Sequence, residues 1–527
     1  MKKFFLWWIF LPVLSWAQTD AWVYLHDKPD AFYFFTHPRQ MLSQRALDRR
    51  ARYGIPLDMR DIPIDETYYS QIKNTPGIFV AGHSKWLNAL HVQGDSAAIA
   101  SLRLFAFVDS IVYANKYVLS RPEQRESIFE KAKTEEIRYT DYGNDTVPYT
   151  LHNAFGLHQA GYTGQNVLIA VIDAGFNQAD TSAVLQHVYA RNGVVDTYNF
   201  PDDTSGVYFR HWHGTTVWEV IAGYEEGELV GTAYDADFCL YISEDVYMEM
   251  PVEETWWVMA AERADSVGVD VINTSLGYID FDNHAYDHTW DELDGHTAFA
   301  SRGAQIATEK GIHVVNSAGN AGHTAWRKIS VPADARDVIA VGAVDENGER
   351  AFFSCTGNTA DGRIKPDVMS WGLGVKTYYN GQYVNLSGTS FSSPLIAGFM
   401  ADLVQAYPYV PPVEMKEFLL RSSDRYFSPD SLYGYGIPDF SMMMQTLDSA
   451  KEIQLQEIRI YPNPFSDNIF VTNLISPLPY ALYNINGQLI RRGNLSGMQN
   501  FKTLAAGIYI LILNDKYHRR IFKLIKQ

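Results

Sequence analysis

The sequence has only two cysteines among its 527 residues, Cys239 and Cys355. Neither lies in a Cys-x-x-Cys pair or in another spacing typical of metal ligands, so nothing in the cysteine pattern indicates a metal or thiol redox centre. An oxidising compartment would permit a disulfide, but the sequence does not decide whether the two cysteines pair. Two buried free thiols are the simpler interpretation.

Positive charge and long hydrophobic runs are also scarce. The chain has 43 Lys and Arg against 61 Asp and Glu, for a formal net charge of −18. This balance argues against a nucleic-acid or anionic-membrane partner. We find no tandem repeat. With 46% hydrophobic and 14% aromatic residues, the chain is predicted to fold into two to four domains rather than to be disordered.

The N-terminus is predicted to be an export signal over residues 1–17. Lys2 and Lys3 precede an apolar run, residues 4–14, and Ser15-Trp16-Ala17 supplies small residues at a cleavage site. The run is shorter than the roughly 20 residues that span a bilayer, and no later segment has that length and apolarity. The mature protein is therefore expected outside the cytoplasm, without a transmembrane segment.

Charge and hydrophobic patterning divide the rest of the chain into four regions. Residues 18–117 are predicted to form an α+β domain, with strands at "AWVYLHD" and "AFYFFT" and a basic helix in "HPRQMLSQRALDRRARYGIP". Residues 118–147 form a charged linker. Residues 148–445 alternate Val/Ile-rich runs with helical stretches, which indicates a parallel sheet covered by helices on both faces. Residues 455–527 read as strands split by Asn-Gly and Pro turns, typical of a small antiparallel sandwich.

Four polar residues in the α/β region lie just after predicted strands or at the start of predicted helices, which are positions typical of functional side chains. Asp173 closes the apolar strand "LIAVID", and His213 precedes an amphipathic helix that Val217 and Ile221 anchor. Asn320 follows the strand "IHVV", and Ser390 lies where a loop turns into an apolar helix, which should expose its hydroxyl and supply an N–H donor. Each signal alone is weak, since a carboxylate can cap a turn and a serine can cap a helix.

Together these residues occur in the order Asp, His, Asn, Ser. Apart from the asparagine, this is the order Asp, His, Ser that is known for the catalytic triad of subtilisin. The stretches "VLIAVIDAGF", "HGTTVWEVIAG", "VINTSLG", "VVNSAGNAG" and "LSGTSFSSPLIAG" carry the resemblance. Residues 148–445 thus resemble the catalytic domain of the subtilisin-like (subtilase, S8-type) serine endopeptidases, and the resemblance implies a subtilisin-like α/β fold.

The resemblance implies a role for each matching residue. Asp173 would orient the histidine, His213 would act as general base and then general acid, and Ser390 would attack the scissile carbonyl. Asn320 would donate to the oxyanion together with the Ser390 N–H. Two segments would bind substrate and line the first specificity pocket: Ser275, Leu276 and Gly277 on one wall, and Ala318 and Gly319 on the other. Trp218 and Glu219 stand where the family usually has small residues, which puts the local packing in doubt.

The flanking regions resemble two accessory modules. Residues 18–117 occupy the place of a subtilase propeptide, which would inhibit the enzyme until it is cleaved between Ser120 and Pro148; a permanent accessory domain is the alternative. "IYPNPFSDNIFV", "LYNINGQLI", "LAAGIYILIL" and "FKLIKQ" resemble the sorting domain of type IX secretion cargo. The chain would then be a zymogen with protein or peptide substrates, exported through the periplasm and outer membrane to the cell surface or medium.

A polar insertion between Gly277 and Thr297 holds five aspartates: Asp280, Asp282, Asp287, Asp291 and Asp294. We expect a solvated acidic loop near the cleft and no required cofactor or catalytic metal. A structural Ca²⁺, stabilising in many subtilases, stays an alternative without a located site.

Two other functions are considered. A catalytically inactive subtilase fold that only binds peptides is disfavoured because the complete residue set is retained. An esterase or lipase of the α/β-hydrolase fold requires Gly-x-Ser-x-Gly and the order Ser, Asp, His, and "GTSFS" matches neither requirement.

Overall fold

The computed structural model of the chain describes residues 19–115, 142, 146–472, 478–495, 497–514 and 519–527. The predicted signal segment, residues 1–17, lies outside these residues, as does the predicted linker, residues 118–147, apart from residues 142, 146 and 147. In the part of the chain that is described, no helix has the length and apolarity needed to cross a membrane.

The N-terminal domain is an α+β fold built on a four-stranded antiparallel sheet in the order β2-β3-β1-β4. Its strands are β1 (Thr19–Leu25), β2 (Ile78–Ser84), β3 (Ala89–Gly94) and β4 (Val108–Tyr113). Its helices are α1 (Ala31–Thr36), α2 (Gln44–Tyr53), α3 (Glu66–Lys73) and α4 (Ser96–Ser101). The predicted basic helix is α2, and it ends where Gly54 takes a left-handed conformation with φ of 68°.

The prediction of a strand at "AFYFFT" is wrong, because these residues form helix α1. The helix is capped at its C-terminus by His37, whose backbone N–H donates to the Tyr33 carbonyl at 3.0 Å. None of its side chains is buried, and Phe32 is 81% exposed. A short apolar run does not by itself distinguish a strand from a helix, and here no sheet edge pairs with it.

The central domain contains a seven-stranded sheet in the order β13-β12-β11-β10-β5-β9-β6, and every adjacent pair is parallel. Its strands are β5 (Leu168–Asp173), β6 (Val194–Asn199), β9 (Asp237–Ile242), β10 (Val271–Thr274), β11 (His313–Ser317), β12 (Ile339–Val344) and β13 (Val368–Trp371). Two hairpins lie outside it, β7 (Tyr224–Glu225) with β8 (Leu229–Val230) and β14 (Val375–Tyr379) with β15 (Gln382–Leu386).

Helices cover both faces of this sheet, as predicted. They are α5 (Val147–Leu151), α6 (Phe155–Gln159), α7 (Gln186–Ala190), α8 (His213–Ala222), α9 (Val252–Val267), α10 (Phe299–Glu309), α11 (Thr389–Ala406), α12 (Pro412–Arg421) and α13 (Phe440–Glu457). Alternate residues of β5 point to opposite faces. Ile169 and Val171 pack with α8 and α11, whereas Ala170 and Ile172 pack with α9 and α10.

The chain also forms short 3₁₀ turns. They are Pro38–Gln40, Met59–Asp61, Leu102–Leu104, Ala179–Thr181, Ala183–Leu185, His284–Tyr286 and Trp290–Glu292. The last two lie in the acidic insertion, and Phe281, Tyr286 and Leu293 of that insertion are buried in the core of the central domain, so the loop is packed against the domain.

The N-terminal domain docks on α9 and α10 through buried ion pairs. Arg49 pairs with Asp265, and both side chains are completely buried. Arg50 contacts the same carboxylate at 2.6 Å and Asp61 at 3.0 Å. From the central domain, Lys310 reaches Asp61 at 2.9 Å. Charges of alternating sign therefore meet across the interface, each with a partner from the opposite domain.

The C-terminal region consists of two antiparallel sheets in the orders β16-β17-β20 and β19-β18-β21-β22. Its strands are β16 (Arg459–Tyr461), β17 (Asn468–Thr472), β18 (Leu478–Asn484), β19 (Leu489–Leu495), β20 (Met498–Asn500), β21 (Gly507–Asn514) and β22 (Arg519–Lys526). They enclose an apolar core of their own, with Leu482 and Leu511 fully buried. The region is all-β, as predicted.

Both cysteines are free thiols and both are buried. The simpler of the two sequence interpretations is therefore correct.

Candidate active site

The carboxyl ends of the parallel strands collect the predicted site residues at one edge of the sheet, where ligands bind in open α/β sheets. Asp173 is the last residue of β5 and is completely buried. Its Oδ1 accepts the Ala174 N–H at 2.8 Å and lies 2.7 Å from Nδ1 of His213, the first residue of α8. The structure thus joins two residues that are 40 positions apart.

This contact determines the protonation of the imidazole. An ionised carboxylate only accepts hydrogen bonds, so Nδ1 of His213 carries the proton and Nε2 is the basic nitrogen of the neutral ring. Burial of the ring works to lower the pKa of His213, but the charge and hydrogen bond of Asp173 outweigh it and hold the pKa above its ordinary value.

Ser390 is the second residue of helix α11 and is only 7% exposed, so it is much less accessible than the sequence suggested. The His213 ring lies beside the same helical turn, with its centroid 6.0 Å from that of Phe391. The Ser390 hydroxyl donates to the Ser275 carbonyl at 3.3 Å and not to His213. Catalytic hydrogen bonds are often formed only in the substrate complex, and rotation about one side-chain bond redirects this hydroxyl.

The turn before Ser390 is shaped by Gly388. Its φ of 154° and ψ of 155° belong to a region that only glycine populates readily. A Cβ there would lie 3.5 Å from Nδ2 of Asn320 and would cover the amide. The turn leaves the backbone N–H of Ser390 at the helix N-terminus, where it has no intrahelical acceptor.

Asn320 is exposed, and its side chain is fixed by Thr389. Its Oδ1 accepts the Thr389 backbone N–H and the Thr389 hydroxyl, both at 2.9 Å. Because a backbone N–H can only donate, the atom that faces it must be the carbonyl oxygen. Nδ2 is therefore the free end of the amide, beside Gly388, and can donate to an oxygen bound at Ser390.

The two predicted substrate-binding segments flank this centre. Ser275 follows β10, and its hydroxyl donates to the Ser390 carbonyl at 2.8 Å. Leu276 is half-buried and its carbonyl accepts from Asn316 Nδ2 at 3.2 Å, while Gly277 is exposed. Ala318 and Gly319 follow β11, and the Gly319 N–H donates to the Thr389 hydroxyl at 3.1 Å. All five residues thus lie at the edge that carries Ser390.

Two residues were missed by the sequence reasoning. Thr389, completely buried, fixes the amide of Asn320. It lies next to Ser390 in the Gly-Thr-Ser motif, so adjacency was an available signal. Ser330 lies against both substrate-binding segments, and no motif in the sequence points to it.

Trp218 and Glu219, the bulky residues on the histidine helix, are both completely buried. Glu219 accepts from the Ser182 hydroxyl at 2.6 Å, the Thr377 hydroxyl at 2.8 Å and the Tyr378 N–H at 3.0 Å. Burial raises the pKa of Glu219 to about 7 despite these donors. The helix therefore accommodates the carboxyl group with neutral donors from neighbouring segments.

Two aspartates of the acidic insertion accept hydrogen bonds from its own backbone. Asp287 Oδ1 accepts the Phe281 N–H at 2.8 Å, and Asp294 Oδ1 accepts the N–H groups of His296 and Thr297 at 2.7 and 2.8 Å. Among all residues that the structure describes, no group of three or more His, Cys, Asp or Glu side chains is arranged to hold a metal ion. The described residues of the insertion thus contain no such cluster, and the calcium alternative stays without a located site.

Three family models match the chain. A model described as the subtilase family matches residues 164–436. A peptidase S8 propeptide domain of the Bacteroidota matches residues 20–130. A secretion system C-terminal sorting domain matches residues 459–527.

Curated relatives and a solved structure are similar to slightly more than half of the chain. The chain is 32% identical to the human membrane-bound transcription factor site-1 protease over 313 residues, which are 56% of this chain and 26% of that protein. It is 31% identical to subtilisin DY of Bacillus licheniformis over 297 residues, which are 55% of this chain and 96% of subtilisin DY. A solved structure, the self-cleaved protease domain of PatA, aligns with 55% of this chain and 98% of its own at 23% identity and a TM-score of 0.44.

Proposed function

The chain belongs to the subtilase family and is a subtilisin-like serine peptidase, and on that premise we propose that Asp173, His213 and Ser390 are its catalytic triad. The enzyme would be an endopeptidase that cleaves protein or peptide substrates through an acyl-enzyme. The observation that carries the proposal is the 2.7 Å contact between His213 Nδ1 and the buried Asp173, beside the first turn of the Ser390 helix.

In the first step, Ser390 Oγ attacks the scissile carbonyl while His213 Nε2 takes its proton. The resulting imidazolium keeps its Nδ1–H on Asp173, whose negative charge stabilises it. His213 then gives the proton to the leaving amine, which breaks the C–N bond and leaves the acyl group on Ser390. A water molecule, deprotonated by the same nitrogen, hydrolyses the ester.

The oxyanion of each tetrahedral intermediate would be held by two donors, Asn320 Nδ2 and the Ser390 backbone N–H. Their positions are preorganised, because Thr389 fixes the amide and the helix fixes the N–H. Donors that need no reorganisation as charge develops contribute most to such catalysis. No cofactor or metal ion takes part in these steps.

The flanking modules define where and when the enzyme acts. The C-terminal type IX sorting domain directs the chain to export, and the protein is secreted or held at the cell surface. The N-terminal domain is a propeptide domain, and its role is to inhibit the enzyme before processing. We place the autoprocessing site between Ser120 and Pro148, which frees the central domain.

Casein hydrolysis by the purified, processed protein tests the proposal. We expect activity that Ser390→Ala abolishes, with a loss in kcat of the order of 10⁶, because removal of the serine in subtilisin costs about 2 × 10⁶. The control is Ser392→Ala, another buried serine of the same helix, whose hydroxyl donates to the Thr389 carbonyl at 2.9 Å. Ser390→Ala should also stop processing, as read from the N-terminal sequence of the secreted protein. An unprocessed, inactive wild type that still binds peptides would support the inactive-binder alternative instead.

A further inference from the structure

The loop that carries Asn320 is held on both sides of that residue by Cys355. The backbone N–H of Cys355 donates to the carbonyl of Gly319, the residue before Asn320, at 3.0 Å. The sulfur of Cys355 accepts the backbone N–H of Ala321, the residue after Asn320, at 3.2 Å. A single residue therefore contacts both chain neighbours of the proposed oxyanion donor.

The loop and the cysteine fit closely against each other. Cys355 is completely buried, and a Cβ placed on Gly319, whose φ is 104°, would lie 3.1 Å from its sulfur. Further along the loop, the N–H of Gly322 donates to the Phe353 carbonyl at 2.8 Å. Residues 353–355 thus run beside residues 319–322, and the loop cannot shift without displacing them.

The segment that holds the loop is itself fixed to the central sheet. The hydroxyl of Ser354 accepts the N–H of Ala343, which belongs to strand β12, at 3.0 Å. The N–H of Ala351 donates to the carbonyl of the same Ala343 at 2.9 Å. Catalytic groups are placed most precisely when the residues that support them are packed and hydrogen-bonded on rigid elements. The cysteine therefore connects a strand of the sheet to the turn at Asn320.

The sulfur of Cys355 acts here as an acceptor and not as a nucleophile. Burial raises the pKa of this thiol to about 12, so it stays neutral, and a buried neutral thiol is unreactive. A thiol sulfur still accepts a hydrogen bond, although weakly. Loss of the sulfur would remove the acceptor of the Ala321 N–H and open a space beside Gly319, so the loop would gain freedom to move.

We propose that Cys355 is a positioning residue for the oxyanion site, which fixes the backbone on both sides of Asn320 so that its Nδ2 faces an oxygen bound at Ser390. Thr389 holds the carbonyl end of the same amide. The two residues divide the task, since Thr389 orients the side chain and Cys355 places the backbone that bears it. The inference rests on the proposed function, because it requires that Asn320 donates to the oxyanion.

The size of the effect is limited by the donor that Cys355 positions. Complete removal of an oxyanion donor costs about 10²–10³ in kcat, and a displacement of about 1 Å can cost about 10². We therefore expect Cys355→Ala to lower kcat by about tenfold, which is less than the effect of Asn320→Ala. KM should be nearly unchanged, because the donor acts on charge that develops in the transition state.

The experiment measures kcat and KM of the processed enzyme with one peptide substrate. Cys355→Ala should lower kcat in the wild-type background but change it little when Asn320→Ala is already present, because the residue acts through Asn320. Cys355→Ser should restore most of the rate, since a hydroxyl also accepts the Ala321 N–H. The matched control, Cys239→Ala, removes the other buried thiol, on strand β9, and should keep the wild-type kcat.

Fluorophosphonate titration carried to completion refers every kcat to the amount of functional enzyme. Equal losses in both backgrounds overturn the inference, as does a loss confined to KM or a Cys355→Ser variant as slow as Cys355→Ala. If Cys355→Ala does not fold, Cys355→Val makes the same comparison, because it keeps the volume but not the acceptor.

Two further outcomes separate the inference from the proposed function. A wild type that titrates and cleaves, with an Asn320→Ala variant that keeps the wild-type kcat, overturns the inference and the oxyanion role of Asn320 but leaves the triad intact. A wild type that neither titrates nor cleaves any peptide refutes the proposed function and the inference with it.

Discussion

Asp173 and His213 form a 2.7 Å contact in which the carboxylate is completely buried and the imidazole is 12% exposed. The acid is thus withdrawn from water, while one edge of the base remains accessible. A buried carboxylate beside a histidine holds the ring in one tautomer and stabilises its protonated form. The pair therefore accounts both for the orientation of Nε2 and for the raised pKa of His213.

The pH dependence of kcat/KM should report this pair. His213 acts as a base only when neutral, so activity should rise with pH through its pKa, which lies above the ordinary value near 6.5. Asp173→Asn removes the charge that raises this pKa, so the inflection should move to lower pH. The rate should also fall by roughly 10⁴, as in other serine proteases that lose this carboxylate. An inflection that stays in place would show that Asp173 does not act on the base.

Replacing Asn320 by alanine should lower kcat by about 10²–10³ and leave KM nearly unchanged, the usual result of removing one oxyanion donor. The side chain is exposed, but its Oδ1 accepts the N–H and the hydroxyl of buried Thr389, so the free energy of unfolding should also fall by about 1–3 kcal/mol. A loss confined to KM would indicate ground-state binding instead.

Thr389 should be a positioning residue for the same donor. Thr389→Val deletes the hydroxyl that bonds Asn320 Oδ1 and accepts from Gly319. We expect a fall in kcat smaller than that of Asn320→Ala, since the backbone N–H of Thr389 still holds the amide. Thr389→Ser should restore the rate, because it keeps the hydroxyl. If serine fails to rescue a valine variant that is folded, the hydroxyl is not what matters.

The interface with the propeptide domain offers a comparison between a buried and an exposed ion pair. Arg49→Ala removes one of the two buried cations that contact Asp265 and leaves Arg50 at 2.6 Å, so the cost should not exceed the about 3–5 kcal/mol of a buried charge left with no partner. The isolated propeptide should then inhibit the processed enzyme at least 100-fold more weakly. The control is Arg60→Ala, whose pair with Glu309 joins side chains that are 36% and 42% exposed; exposed pairs contribute about 0–1 kcal/mol. Equal effects of the two variants would contradict the importance of the buried pair.

Stability of the central domain should increase as the pH falls from about 7 to about 4. Asp402 is completely buried on α11, and neither carboxylate oxygen has a hydrogen-bond partner among the described residues, although His158 Nε2 lies 3.5 Å away. Burial raises its pKa from 3.8 to about 7, so over this range the folded state binds a proton that the unfolded state does not. The pKa of His158 is also raised, because the charge of Asp402 outweighs its burial; since that charge is lost when Asp402 is protonated, the two groups take up one proton as a pair.

Asp402→Asn should reduce this dependence but not abolish it, because the pKa of buried Glu219 is also raised to about 7 and acts in the same direction. The neutral amide does not titrate, and the pKa of His158 loses the charge that raises it. Thermal unfolding of the processed enzyme at pH 5 and pH 7.5 measures the difference, which should be clearly smaller in the variant. The same pH response in both proteins would show that Asp402 is not the titrating group.

The sequence was informative where local chemistry repeats a known pattern. Apolar strands followed by a polar residue indicated the positions of Asp173 and Asn320 beyond strands of one sheet, and the turn before a helix indicated the position of Ser390. It was less informative where long-range packing decides. Ser390 was expected to be exposed, but it is buried, because Ser275 packs against it through two hydrogen bonds. The segment "AFYFFT" was expected to be a strand, but it is helical and no strand pairs with it. Ser330 acquires its place through contacts with Gly277 and Gly319, which only the folded chain brings together.

The most direct test of the central claim is covalent labelling of the processed enzyme with a fluorophosphonate, followed by mass spectrometry of the peptide that contains residues 387–398. The account predicts one phosphonylated residue, Ser390, and a labelling rate that His213→Ala reduces by several orders of magnitude. Labelling at another serine, or a rate that does not depend on His213, would contradict it.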